Sequence, residues 1–399
     1  MIIKHKQAVR QAHELTRRSA WYRISRMLAI TVALCLVLTA TACKSGGSSV
    51  GRLVAAGGSG GSAGAGGAGG SGGSGGAGGA GGAASNRFCS DTADAQFEAC
   101  KEEVNDDFFK AEAICTNISV ERERNGCLDD AATERAEADQ LCGEQLTARK
   151  NLCAAIGEAR YDPDFNPSNF DDDFKVLTNP NPYFPLKVGN TWEYEGGDET
   201  VTIEVLDKTK LIEGVTCIVV NDRVEEDGEV VEDTDDWFGQ RKNGTVDYCG
   251  EISENFEFFE GDDPEEAELV DIGGSWKAGR DGAKSGTLFR GLPAVGATYR
   301  QEWAPSDAED AATVLSTNYG FGGNPELDRF VPPALATLLC PGNTCVVTGE
   351  FSPLSPGGFE RKYYASGIGL FLEVHPESGE TVQLVDCNFD PRCAALPAP

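Results

Sequence analysis

Six cysteines between residues 86 and 160 are spaced symmetrically, and this spacing limits what the chain can fold into more than any other feature. They stand at positions 89, 100, 115, 127, 142 and 153, so the gaps are 11, 15, 12, 15 and 11 residues. Each residue of an α-helix turns by about 100°, so a gap of 11 rotates a side chain by ~20° and a gap of 15 by ~60°. The first three cysteines therefore share a stripe of one helix, and the last three share a stripe of a second.

An antiparallel helical hairpin brings together residues whose numbers add to a constant, and three nested cysteine pairs share the sum 242. The predicted disulfides are Cys89–Cys153, Cys100–Cys142 and Cys115–Cys127. The turn is expected near Asn117–Gly126. Two helices alone bury little apolar surface, so cross-links would replace a core. Metal ligation is the alternative, but this region has no CxxC motif and no histidine.

The first 42 residues have the pattern of an export signal. Seven Lys or Arg residues against one acidic residue precede the apolar run Met27–Ala42. That run is shorter than the ~20 residues of a spanning helix. The segment Ala40-Thr41-Ala42-Cys43 resembles the lipobox of bacterial lipoproteins, except that Ala40 stands where leucine is usual. The resemblance implies that Cys43 becomes the lipidated N-terminus, and Lys44 in place of Asp favours the outer membrane.

Two linkers are predicted. Residues 57–84 contain only glycine, serine and alanine, so 43–85 forms a flexible tether of about 35 Å r.m.s. length. Residues 161–182 form an acidic, proline-rich connector. Within it, five residues roughly follow the spacing of a calcium-binding loop, although the loop's usual glycine is replaced by proline. They are Asp162, Asp164, Asn166, Ser168 and Asp173.

Residues 183–393 are predicted to form an antiparallel β domain, either a β-sandwich or an open barrel. β-Branched runs such as Thr200–Leu206 and Gly214–Val220 alternate with turn signals such as Asp227-Gly228. Roughly ten to twelve short strands are expected. The fold class is therefore α+β, with a disulfide-stapled antiparallel helical hairpin (86–160) preceding the β domain.

Six further cysteines lie in the β domain. Closeness in sequence favours the pairs Cys340–Cys345 and Cys387–Cys393. The strand cysteines Cys217 and Cys249 are predicted to form the third pair, which closeness in sequence does not favour, and spacing alone does not fix connectivity.

Several motifs in this domain carry a family resemblance. They are Tyr183–Tyr194, Asp233–Gln240, Gly244–Glu251, Ser275–Ala283, Ala308–Ala311 and Glu360–Leu370. In this order they resemble a widespread family of uncharacterised bacterial secreted and lipoprotein β-domains, over about residues 183–385. The resemblance implies a secreted β protein and no particular activity. The chain departs from the family at Thr245–Cys249, where Asn-Val-Trp-Tyr is common, and the added Cys249 suggests a disulfide.

The sequence offers few residues for catalysis. Beyond residue 42 the only histidine is His375, so a Ser-His-Asp or Cys-His mechanism would have to use it. It precedes Pro376 and a turn, which predicts an exposed hairpin end. We therefore assign no catalytic residue and no metal ligand.

Acidic and aromatic residues of the family motifs are the candidates for a ligand-facing surface. They are Asp236, Trp237, Glu251, Trp276, Asp281 and Glu360. A glycosidase needs two carboxyl groups, but nothing in the sequence selects a pair. Turn caps and salt bridges to Arg241, Arg361 or Lys362 are the simpler interpretation of these acids.

The formal net charge of −30 argues against nucleic acid as a partner. The chain is predicted to be a lipid-anchored cell-envelope protein, a non-enzymatic binding or structural module that contacts the membrane through its N-terminal lipid. One alternative is an envelope hydrolase that acts on carbohydrate through paired carboxylates. Another is a calcium-dependent adhesive module that uses the acidic runs Glu225–Asp236 and Asp262–Glu268. No cofactor is predicted, Ca²⁺ being the one ion considered, and no protein or carbohydrate partner is identified.

Overall fold

The structure is a computed structural model that describes residues 86–259 and 261–399. The predicted export signal, the lipidation site Cys43 and the tether to residue 85 lie outside the described residues. Residues 87–399 belong to one compact unit.

Two long helices, α1 (Phe88–Thr116) and α2 (Glu121–Ile156), form the N-terminal pair. Only residues 117–120 separate them, so the turn is shorter than expected. Helix α2 begins at Glu121 because the run Glu-Arg-Glu-Arg contains strong helix formers, and it continues through Gly126. It ends at Gly157, whose φ of 96° is a conformation that glycine adopts without strain.

Three disulfides join the two helices. They are Cys89–Cys153, Cys100–Cys142 and Cys115–Cys127, with Cα atoms 5.6, 5.9 and 5.5 Å apart. Each is a pair that the cysteine spacing predicts. Because the three separations are nearly equal, the helices stay at a constant distance along their length.

The β part is one antiparallel sheet, which contains 14 strands within the described residues. The strands are β1 (Thr191–Gly196), β2 (Glu199–Ile212), β3 (Val215–Glu226), β4 (Glu229–Gln240), β5 (Val246–Glu257), β6 (Glu268–Asp271), β7 (Trp276–Lys277), β8 (Gly286–Phe289), β9 (Thr298–Arg300), β10 (Ala311–Tyr319), β11 (Cys345–Phe351), β12 (Phe359–Ala365), β13 (Gly369–Val374) and β14 (Thr381–Cys387). The count exceeds ten to twelve because the short strands β6, β7 and β8 lie in a stretch without β-branched runs.

The strand order is β6-β5-β4-β3-β2-β1-β14-β13-β12-β11-β10-β9, and β7 and β8 both pair with β5. Two meanders therefore meet where β1 pairs with β14. Two short helices, α3 (Pro325–Asp328) and α4 (Pro333–Leu339), connect β10 to β11. Single 3₁₀ turns lie at Pro167–Asn169 and Pro391–Ala395.

Aromatic side chains fill the core of the sheet. Tyr194, Tyr248, Tyr363, Phe238, Phe289 and Phe371 are its largest fully buried aromatic residues. Three disulfides add cross-links: Cys217–Cys249, Cys340–Cys345 and Cys387–Cys393. The six disulfides of the described residues indicate an oxidising, exported environment. Within those residues, no helix combines the length and the apolar character needed to cross a membrane.

Candidate functional site

Three neighbouring strands place charged side chains on one face of the sheet. Alternate residues of a strand point to the same face. The register sets Glu350 of β11 opposite Glu360 of β12, and Lys362 of β12 opposite Glu373 of β13. The same alternation continues from Glu373 to His375. We call these five residues the Lys362 cluster.

The Lys362 ammonium lies among three carboxylates. Its Nζ is 3.0 Å from Oε2 of Glu350, and 3.6 Å from Oε2 of both Glu360 and Glu373. All four side chains are buried, and that of Lys362 is only 1% exposed. Burial by itself lowers the pKa of Lys362, but the three carboxylates outweigh it, so the pKa lies well above its ordinary value. The lysine is therefore charged inside the protein.

Two neutral side chains complete the environment of Glu350. The Thr348 hydroxyl donates to Oε1 of Glu350 at 2.7 Å, and the Tyr364 hydroxyl donates to the same atom at 3.1 Å. The pKa of Tyr364 is raised well above its ordinary value, mainly because the side chain is buried and secondly because the charge of Glu350 is near. The phenol therefore remains a donor.

His375 closes the cluster on its solvent side. Its Nε2 lies 3.1 Å from Oε1 of Glu373 and 3.9 Å from Oε1 of Glu360. His375 does lie at the end of the β13–β14 hairpin, where its backbone N–H donates to the Glu380 carbonyl. Its side chain is only 20% exposed, so the expectation that it is exposed there is wrong. The alternation of the strand turns the ring toward the carboxylates, although Pro376 and the turn follow immediately.

A second buried cluster surrounds Tyr248. Asp236 of β4 lies directly opposite Glu251 of β5. The Tyr248 hydroxyl contacts Oδ1 of Asp236, and Oε2 of Glu251 at 2.7 Å. A phenol has one proton, so both contacts are hydrogen bonds only if one carboxyl group is protonated. The ring of Trp276 packs edge-on against Tyr248, with centroids 5.4 Å apart.

The candidate ligand-facing residues do not share one surface. Asp236, Glu251 and Trp276 meet around Tyr248, whereas Glu360 belongs to the Lys362 cluster. Trp237 is 3% exposed, and Nζ of Lys210 lies 3.4 Å from the centroid of its ring. Asp281 is exposed in a turn, with a φ of 53°.

The expected salt bridges form in part. Glu360 pairs with Lys362. Arg361 instead pairs with Glu326, because β-strand alternation turns its side chain to the opposite face from its neighbours. Arg241 pairs with Asp247, which is not among the candidate acids.

The calcium-loop residues of the connector have separate partners. Asp162 accepts from Nζ of Lys284, and Asp164 accepts from the Asn169 amide group. Oδ1 of Asn166 accepts from the backbone N–H of Ser168, and Asp173 accepts from that of Lys175. Among the described residues, the three potential metal ligands that do lie together are Glu360, Glu373 and His375.

A buried ion pair fastens the hairpin to the sheet. Arg149 of α2 donates to Glu309 through Nε at 2.8 Å and through Nη2 at 3.0 Å. Gln96 of α1 also donates to this carboxylate, as does the backbone N–H of Ser306. The side chains of Arg149 and Glu309 are 3% and 0% exposed. Both helices are thus tied to the loop that precedes β10.

An open cleft of about 500 Å³ lies beside this joint. One wall is the α2 surface that includes Gly143, Thr147 and Asn151. The other is the connection from β11 to β12, with Phe351 and Pro356. The cleft is wide open to solvent and its lining combines small, polar and apolar residues. Neither buried cluster contributes a residue to it.

Comparison of the chain with protein-family models, curated proteins and solved structures finds no match. The family resemblance of residues 183–385 therefore stays a prediction.

Several residues of these clusters were not among the predicted site residues. Arg149, Glu350 and Glu373 lie in no motif, and Tyr248 and Glu309 lie within family motifs but were not singled out there. Only the folded chain brings these residues together. One sequence signal does exist: Glu360-Arg-Lys362 and Glu373-Val-His375 place charged residues at alternate positions of consecutive strands.

Proposed function

We propose that this protein is a lipid-anchored component of the cell envelope that displays a rigid binding or structural module on a flexible stalk. The export signal, Cys43 and the tether support the anchor and the stalk. The six disulfides support an oxidising compartment.

The buried pair of Arg149 and Glu309 is the observation that carries this proposal. A bidentate guanidinium–carboxylate pair fixes the orientation of both groups. Removing either partner would leave a buried charge uncompensated, which is strongly unfavourable. The hairpin therefore stays attached to the sheet, and the cleft between them keeps its shape. A preformed cleft is suited to binding, because the ligand does not have to order it.

The cleft is the proposed binding surface, and it can be tested by filling it. Thr147 is exposed on α2, and its hydroxyl donates to the Gly143 carbonyl one turn back. Thr133 is also exposed on α2, and its hydroxyl donates to the Asp129 carbonyl in the same way. Thr147→Arg fills the cleft, whereas Thr133→Arg, away from it, is the matched control.

Both variants are compared with the parent in co-sedimentation with purified peptidoglycan sacculi and with outer-membrane vesicles. We expect co-sedimentation with one of these fractions to fall about tenfold in Thr147→Arg and to persist in Thr133→Arg. Equal behaviour of the two variants, or no co-sedimentation of the parent, would rule out the cleft as an envelope-binding surface.

The anchor is tested separately by metabolic labelling with an alkyne-bearing fatty acid in a bacterial host. We expect the label to be attached to the intact protein and to be lost in Cys43→Ser. A label that persists in this variant would place the lipid elsewhere, and an unlabelled parent would contradict the anchor.

The hydrolase alternative is favoured by one observation, the cross-strand pair of Asp236 and Glu251. Against it, both are buried at 3% and 2% exposure and contact a phenol. The parent protein, Asp236→Asn and Glu251→Gln are assayed with chromogenic glycosides and with peptidoglycan. We expect no turnover by the parent. Turnover that both substitutions abolish would replace the proposed function with a glycosidase.

The calcium-dependent adhesive module is tested by thermal unfolding in Ca²⁺ and in EDTA, on protein that has already been stripped of other metals and desalted. A ligand that binds only the folded state raises the melting temperature. We expect equal melting temperatures, because the calcium-loop residues of the connector already have separate local partners. Among the described residues, neither acidic run brings three potential metal ligands together. A higher melting temperature in Ca²⁺ than in EDTA would support the adhesive module.

A further inference from the structure

We propose that Glu360, Glu373 and His375 bind one divalent metal ion of the zinc type. One ligand atom from each of the three side chains lies within 4.8 Å of the other two. Zinc bonds of about 2.0–2.2 Å in a tetrahedral site place ligand atoms ~3.4 Å apart. The distances from Nε2 to the two carboxylate oxygens, 3.1 and 3.9 Å, lie on either side of that value.

The carboxylate groups of Glu360 and Glu373 each contact two different groups through their two oxygen atoms. Their Oε2 atoms face Lys362, and their Oε1 atoms face His375. The ammonium therefore holds the ligands in place without occupying the space between Oε1 and Nε2. Groups that orient metal ligands without touching the metal help to set metal affinity, whereas the positive charge of the ammonium itself opposes that of the ion.

The charge of the cluster also favours a divalent cation. Three buried carboxylates face one ammonium, so within the cluster negative charges outnumber positive ones, and this attracts a cation. A divalent ion at the His375 side would balance the excess and would cross-link β12 to the end of β13.

The kinds of ligand atom and the access from solvent to the site indicate which ion would bind. One imidazole nitrogen with two carboxylate oxygens suits Zn²⁺, whereas Ca²⁺ and Mg²⁺ prefer larger sets of oxygen ligands. The carboxylates are buried, but the His375 ring is 20% exposed at the strand end. An ion can therefore enter from solvent, and three protein ligands leave a coordination position for water.

The competing interpretation is a histidine that only hydrogen-bonds Glu373. Zinc titration of the oxidised full chain against a chromogenic chelator, after EDTA treatment and desalting at pH 7, separates the two. We expect one zinc per chain, and at least a tenfold loss of affinity in His375→Gln. Glu377→Gln is the matched control, because Glu377 is exposed in the adjacent turn, and we expect it to bind zinc as the parent does.

A second measurement does not depend on how the variant folds. The ring ¹⁵N signals of His375, assigned by their loss in His375→Gln, are followed in the parent during the titration. We expect the Nε2 signal to shift with the stoichiometry of binding, and Ca²⁺ or Mg²⁺ at the same concentration to leave it unchanged. No zinc binding, unchanged affinity in a His375→Gln variant with native circular dichroism, or an Nε2 signal that does not respond to bound zinc would each overturn the site.

Discussion

The hairpin and the β domain contain the same number of disulfides in the described residues but differ in what else stabilises them. The hairpin buries few apolar side chains other than cysteine; they are Ala93, Val104, Ala131 and Leu152. The β domain buries aromatic and aliphatic side chains along almost every strand. The hairpin is therefore held by its cross-links, whereas in the β domain the cross-links supplement a core.

The spans of the disulfides reinforce the contrast. Cys89–Cys153 closes a separation of 64 residues, and Cys340–Cys345 closes only 5. By the loop-entropy relation, the first stabilises the chain by about 4 kcal/mol and the second by about 2 kcal/mol. A small unit is thus stabilised most by disulfides that join cysteines distant in sequence.

The largest expected effect comes from removing one set of three disulfides at a time. Replacing the six hairpin cysteines by serine should unfold α1 and α2, because native disulfides contribute about 2–5 kcal/mol each and little core remains. Replacing the six β-domain cysteines should lower the melting temperature but leave the sheet folded. Circular dichroism at 222 nm checks both variants. If the hairpin variant kept its helices, the contrast between the two regions would fail.

The joint between the regions should be the next most sensitive place. Arg149→Met leaves the Glu309 carboxylate buried without its charged partner, which should cost about 3–5 kcal/mol of unfolding free energy. The control is Lys101→Met, which removes the half-exposed pair with Asp139 and should cost about 0–1 kcal/mol. Denaturant unfolding measures both. Equal losses would show that the joint is not a buried ion pair.

A smaller effect is expected inside the β domain from Tyr248→Phe. This removes the hydroxyl that lies between Asp236 and Glu251 and should cost about 1–3 kcal/mol, because buried acceptors lose their donor. Tyr183→Phe is the control. Its hydroxyl donates to the Thr344 carbonyl near the surface, so its loss should cost about 0.5–1.5 kcal/mol. A Tyr248→Phe protein as stable as the parent would mean that the cluster contributes nothing to folding.

The smallest effect concerns the open end of the hairpin. The hydroxyl and the backbone N–H of Ser90 both donate to the Glu158 carboxylate. These two hydrogen bonds, of which that from the hydroxyl has the larger effect, lower the pKa of Glu158 below 4.5. Its contribution to stability is therefore present above pH ~4.5 and is lost as the pH falls through the folded pKa.

Ser90→Ala should raise the pKa of Glu158 toward its ordinary value, as carboxyl ¹³C NMR titration can show. The pKa of Asp390, which its hydrogen bond with Arg392 lowers, serves as the internal control and should not move. An unchanged pKa of Glu158 in this variant would mean that the bond to Ser90 does not form in solution.

The two regions also differ in how far sequence predicts them. In the hairpin, helix periodicity converts spacing directly into contacts, so Cys100 and Cys142 can be paired by arithmetic. In the sheet, contacts depend on register. The bulge between Trp237 and Phe238 lies opposite Gly250, and a glycine inside a strand indicates a bulge but not the register that results from it. The sequence alone therefore does not place Asp236 opposite Glu251.

His375 shows the same difference in another way. The turn signal after it predicted exposure, but its side chain direction follows the alternation set by Glu373. Strand alternation predicts that the His375 side chain lies with the carboxylates. The neighbouring Pro376 and its turn predict exposure instead. Sequence periodicity thus indicates that these charged side chains share one face of the sheet. The strand register then decides which of them come into contact.

Hydrogen–deuterium exchange of the oxidised and the reduced protein, resolved by mass spectrometry, most directly tests the claim that disulfides hold the hairpin and a core holds the sheet. On reduction, we expect peptides from α1 and α2 to lose protection while peptides from β1–β5 and β11–β14 keep theirs. Hairpin peptides that remain protected after reduction, or sheet peptides that exchange as fast as the hairpin, would contradict it.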